Sequence, residues 1–81
     1  MTQDEALKIV AALRAGKTFA TRHQEDEWGL RVRKDGRFDK WSHRLLIEGG
    51  EEHSNDVLDE AGLVALLMKW YGFDRIMAGL R

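Results

Sequence analysis

The sequence predicts an α+β fold of order α-β-β-β-α, a three-stranded antiparallel meander with two helices packed on one face. Three observations carry that expectation. A capping box precedes a helical apolar stripe at the start, an Asp-Gly pair separates two strand-like segments in the middle, and an acidic cap precedes an apolar helical segment near the end. The 81 residues suffice for a single domain spanning 1-81 with one core.

The first helix is expected from about Thr2 to Ala15. Thr2 can cap a backbone amide while Glu5 reaches back, and Ala6, Leu7, Ile9, Val10 and Leu13 recur at helical spacing. Gly16 follows the last of these and suits a left-handed closing residue, with Arg14 and Lys17 at the negative helix end.

Lys34-Asp35-Gly36-Arg37 reads as a two-residue type I′ hairpin turn. That turn sets Arg33 opposite Phe38, Val32 opposite Asp39, Arg31 opposite Lys40, Leu30 opposite Trp41, Gly29 opposite Ser42 and Trp28 opposite His43. The segment Thr18 to His23 joins through a loop at Gln24-Glu25-Asp26-Glu27, with Phe19 against Val32, Thr21 against Leu30 and His23 against Trp28. The apolar residues of both hairpins then share a face. A one-residue slip in the third strand is the alternative register, sending Phe38 inward and Trp41 outward.

Arg44-Leu45-Leu46-Ile47 extends the third strand or forms a short fourth, and Gly49-Gly50 ends it before a polar stretch through Asp56. The second helix takes Asp59 as N-cap, Glu60 in its first turn, and Leu63, Leu66, Leu67 and Trp70 as a stripe, closing at Gly72. Phe73 to Leu80 adds a further helical turn. The predicted core is Leu7, Val10, Phe19, Leu30, Val32, Trp41, Leu63, Leu67 and Trp70.

Composition narrows the function classes. A formal net charge of -1 gives no global attraction to a polyanion, so nucleic-acid binding would need a local patch. The absence of cysteine removes disulfides, thiolate metal sites and cysteine nucleophiles. No apolar run approaches the roughly 20 residues of a membrane span, and no export signal opens the chain, so a soluble cytoplasmic protein with no membrane partner is expected.

The predicted register leaves an open sheet face on which Arg22, Arg31, Arg33, Lys40 and Arg44 surround Phe38. An aromatic ring among guanidinium groups suits a protein interface, phosphate or a nucleobase, and these six residues form the candidate binding site. The bland alternative is a solvated face whose arginine stems cover Phe38.

No metal site, cofactor or catalytic set is expected. His23 and His43 would flank Trp28 about 9.5 Å apart, two strand spacings, too far for one zinc ion. Nothing in the sequence fixes His53 near either. His53-Ser54-Asn55-Asp56 holds triad residue types, but consecutive side chains cannot form the required line, and a turn with helix entry explains it. Glu25-Asp26-Glu27 and Glu51-Glu52 read as solvated acidic runs. Gly49-Gly50 alone is a turn signal, not a phosphate loop. Leu63 to Met68 is apolar around much of the helix, which fits one buried face or a homodimer surface that also covers Met68, Tyr71 or Phe73.

Two resemblances bear on function. The α-β-β-β-α order is similar to that of double-stranded RNA-binding domains, but Asp59-Glu60-Ala61-Gly62 stands where that family places phosphate-clamping lysines, and would repel RNA. The opening from Glu5-Ala6-Leu7 through Leu13-Arg14-Ala15-Gly16-Lys17 to Trp28 resembles that of small phage and mobile-element anti-defence proteins, anti-CRISPR proteins among them. That resemblance implies a stoichiometric inhibitor that blocks a surface on a host complex. The expected function is accordingly a small non-catalytic protein-binding module, a phage-type inhibitor of a CRISPR-like defence complex. The alternative is a nucleic-acid-binding domain using the basic sheet face.

Overall fold

A computed structural model describes all residues, 1–81. Its elements run α1 (Gln3–Arg14), β1 (Phe19–His23), β2 (Asp26–Val32), β3 (Phe38–Leu45), β4 (Glu51–Leu58), α2 (Glu60–Met68) and α3 (Phe73–Gly79). The α+β class is as expected. The sheet has four strands rather than three, in the antiparallel order β1-β2-β3-β4, and Phe73–Gly79 is a third helix.

Helix α1 forms for the reasons its sequence gives. The Thr2 hydroxyl accepts from the Glu5 backbone amide at 3.2 Å, and the Glu5 carboxylate accepts from the Thr2 amide at 2.9 Å. Ala6, Ile9, Val10 and Leu13 form the buried stripe, with Leu7 at its exposed edge. Helix α2 starts on Asp59, whose carboxylate accepts from the Gly62 amide at 2.7 Å, and buries Leu63 and Leu67. With Phe19, Leu30, Phe38, Ile76 and Leu80 these residues make one core under a single face of the sheet. Of the predicted core, Val32 and Trp70 pack at its margin, and Leu7 and Trp41 lie outside it.

The β2–β3 hairpin departs from the expected register by one residue. Arg33 donates its amide to the Arg37 carbonyl at 2.7 Å, and Gly36 donates to the Arg33 carbonyl at 3.1 Å. Gly36 adopts φ +86 while Asp35 does not take a positive φ, which gives a three-residue Lys34-Asp35-Gly36 loop instead of a two-residue one. The Asp35 carboxylate accepts the Arg37 amide at 2.9 Å, stabilising this wider turn. One extra loop residue moves every β3 side chain to the opposite face. Val32 therefore pairs with Phe38, Arg31 with Asp39, Leu30 with Lys40, Gly29 with Trp41, Trp28 with Ser42 and Glu27 with His43.

The β1–β2 hairpin is also displaced, by two residues, which leaves faces unchanged: Phe19 pairs with Leu30, Thr21 with Trp28 and His23 with Asp26. The next hairpin repeats the three-residue design. Leu46 donates to Gly50 at 2.8 Å, Gly49 donates to Leu46 at 3.0 Å, and Gly49 has φ +84. Its product is β4, the segment read from sequence as a turn. Phe38 pairs with Leu58, Trp41 with Asn55 and His43 with His53.

Candidate functional site

The registers assign side chains to the uncovered face of the sheet. Arg22 comes from β1; Glu27, Gly29 and Arg31 from β2; Asp39, Trp41 and His43 from β3; Glu51, His53, Asn55 and Val57 from β4. Arg33, just beyond β2, joins them through Asp39.

Asp39 is the buried polar centre of this face, its side chain only 7% exposed. Arg31 Nε donates to Oδ2 at 2.9 Å, Arg33 Nη1 to Oδ1 at 2.7 Å and Asn55 Nδ2 to Oδ1 at 3.0 Å. Burial opposes ionisation of the carboxyl, but the hydrogen bonds from Arg31, Asn55 and Arg33 outweigh it and hold the pKa at about 2. The cluster fixes three strands to one another and aims two guanidinium groups.

Trp41 lies across Gly29. A β-carbon built on Gly29 would sit 2.5 Å from Trp41 Cζ2 and against the Phe19 carbonyl oxygen, so only glycine leaves room for the indole. The ring is half-buried on a face that is mostly polar apart from Ala20, Leu45 and Val57. Next to it, the His43 and His53 imidazoles stack with centroids 4.3 Å apart and planes 6° from parallel. The Glu51 carboxylate approaches both rings, 3.3 Å from His53 Nε2 and 3.6 Å from His43 Nε2.

Of the six residues expected at the binding site, Arg22, Arg31 and Arg33 do lie on this face. Phe38, Lys40 and Arg44 do not, because the third loop residue turns them to the other side. Phe38 is fully buried, with the Arg14 guanidinium 4.8 Å from its ring centroid. Lys40 reaches over the Trp28 ring, its Nζ 5.9 Å from the centroid, and Arg44 pairs with Asp26 at 3.3 Å. The expected basic surface is instead charge-balanced, with Arg22, Arg31 and Arg33 set against Glu27, Asp39 and Glu51.

His53, which nothing in the sequence fixes near another histidine, gains one in the fold. β4 brings it opposite His43, while His23 stands on β1, across the sheet. The observed register is the alternative one-residue slip, which puts Trp41 in the place expected of Phe38, whereas Asp39, Asn55 and the grouping of His43 with Glu51 and His53 were not singled out by sequence. The signal that points to them is loop length: Lys34-Asp35-Gly36 and Ile47-Glu48-Gly49 share a charged residue before a glycine, and both close three-residue hairpins.

On the helix side, a cleft of about 520 Å³ opens between Phe19, Thr21, Trp28, Trp70, Arg75 and Ile76. Aromatic edges line it, with Trp28 and Trp70 in contact at a centroid distance of 5.1 Å and 72°. No helix is long and apolar enough to cross a membrane. No protein-family model, curated protein or solved structure matches the chain.

Proposed function

We propose that the protein is a small, non-catalytic protein-binding module that docks a partner on its uncovered sheet face, with Trp41 as the central anchor. The observation that carries this reading is the partly exposed indole held on Gly29, between the Asp39 cluster and the imidazole stack. Tryptophan and arginine presented rigidly at the centre of a face are the residue types that carry most interface energy. Ordering them costs little on binding, because packing and the Asp39 hydrogen bonds already hold them.

Charge balance favours a protein partner over a polyanion. Two of the three arginines are already paired with Asp39, whereas phosphate binding draws on unneutralised cations. An inhibitory role follows from the resemblance of the Glu5 to Trp28 opening to phage anti-defence proteins. A module of this size with a preformed face acts by covering a surface on its target.

Affinity capture from extracts of the source cell tests the reading. Trp41→Ala combined with Arg22→Glu, an exposed arginine of the same face outside the Asp39 cluster, should abolish recovery of the partner while circular dichroism stays native. Lys8→Ala, on the exposed side of α1, should recover it in full. Undiminished recovery by the double variant would remove this face from the account. Binding of oligonucleotides at low salt, weakening by roughly 0.9 log units per phosphate contact for each log unit of salt, would replace the protein partner with nucleic acid.

A further inference from the structure

The His43–Glu51–His53 group has a chemistry that the docking role does not use. Two imidazole nitrogens and one carboxylate oxygen lie within 4.8 Å of one another. The carboxylate sits 3.3 Å and 3.6 Å from the two Nε2 atoms. In a tetrahedral zinc site with bonds of about 2.0–2.1 Å, adjacent ligand atoms stand about 3.3–3.4 Å apart, so both carboxylate–imidazole separations are already close to those of a filled site. His43 Nε2 is shielded from solvent and has no hydrogen-bond partner. A shielded ring nitrogen without a partner is costly, and a metal ion would satisfy it.

We propose that His43, Glu51 and His53 bind one divalent transition-metal ion of the zinc type, with a fourth position open to water. Two nitrogen donors and one oxygen donor select this class over calcium or magnesium, which take oxygen ligands. The side chains free to close the shell are the exposed ones. As stacked, the two imidazole planes are nearly parallel and their lone pairs do not converge, so the site fills when His53, 67% exposed, turns out of the stack and Glu51, 56% exposed, follows it toward His43, which the sheet holds more firmly at 30%. Glu27 stands opposite His43 on β2 and adds negative potential at the same edge. Three ligands supplied by one hairpin, β3–β4, make the site local, and hairpin closure forms it without a partner.

Metal binding needs no protein partner, so this site stands or falls separately from the docking face. The test is calorimetric titration of the untagged chain with zinc chloride at about pH 7.5, where free imidazole is neutral. Cobalt(II) absorption provides a second readout of four-coordinate geometry. One equivalent should bind, and amide NMR shifts should centre on residues 43, 51 and 53. His53→Ala and His43→Ala should each weaken binding by more than the roughly 10–100-fold that loss of an outer-shell partner costs a metal site. Glu51→Gln should weaken it with the fold intact by circular dichroism. His23→Ala should bind as the wild type does. Absence of saturable binding, binding that survives combined replacement of His43 and His53, or zinc-induced shifts confined to other residues would overturn the site.

Discussion

Replacing Phe38 with alanine should cost more stability than replacing Trp41, although tryptophan is the larger residue. Phe38 is fully buried between Val32 and Leu58, its pairing partners on β2 and β4, with Arg14 over the ring. Removing such a ring costs about 3–5 kcal/mol in lost burial and residual cavity. An 81-residue domain has a total stability of about 4–12 kcal/mol, so the variant is at or near the limit of folding. Phe38→Leu, which keeps most of the volume, should stay folded and lose about 1.5 kcal/mol or less. Trp41 is half-buried on the open face, and its removal should cost about 2–3 kcal/mol. Urea denaturation followed by far-ultraviolet circular dichroism compares the three variants, with unchanged slopes certifying a stability effect alone. If Trp41→Ala is the more destabilising, β3 runs in the other register and the face assignments fail together.

Asp39→Asn should destabilise the protein by about 2 kcal/mol at pH 7, after allowing for the solvent around half-exposed Arg31. The native carboxyl titrates at about 2, below its ordinary 3.8, so its contribution is fully present above about pH 4 and is lost as pH falls through about 2. Denaturation midpoints of wild type and Asp39→Asn should therefore converge toward pH 2, and a constant gap across that range would refute the ionised cluster. Gly29→Ala forces a β-carbon against the Trp41 ring and the Phe19 carbonyl, and should cost about 1–3 kcal/mol while altering the near-ultraviolet dichroism of the indole. Native stability and an unchanged spectrum in that variant would show that the ring does not lie across Gly29.

Helices α1 and α2 were legible because their caps and apolar spacing are local signals, and both caps form as the residues dictate. The meander was legible for the same reason, with one chain reversal marked by Asp35-Gly36. The conformation of that reversal was not. A type I′ turn and a three-residue loop both place a glycine at positive φ, and what separates them is Asp35, which keeps a negative φ and turns its carboxylate to the Arg37 amide. Strand β4 escaped notice because Glu51 to Asp56 is polar throughout, with no alternation to read. Both of its faces are exposed beyond the helices, and only Leu58 reaches the core margin. Pairing to β3, not burial, holds it. The imidazole pair depends on that pairing, and no spacing rule relates His43 to His53 until the second three-residue loop is placed.

The register nevertheless has a reason that lies in the residues. A two-residue turn would set Asp39 beside Val32 on the core face, leaving a carboxylate under the helices. Arg31 and Arg33, the cations it bonds, would then point the other way. An unpaired charge there costs several kcal/mol, more than burying Trp41 in place of Phe38 could offset. One more loop residue sends Asp39 out to Arg31, Arg33 and Asn55 and brings Phe38 in against Leu58. Core and open face are thus one choice. The hydrophobic pairing of Phe38 with Leu58 requires the same two loops that set Trp41 over Gly29 and His43 against His53, so no one-residue change of β3 register could alter the surface chemistry while sparing the core.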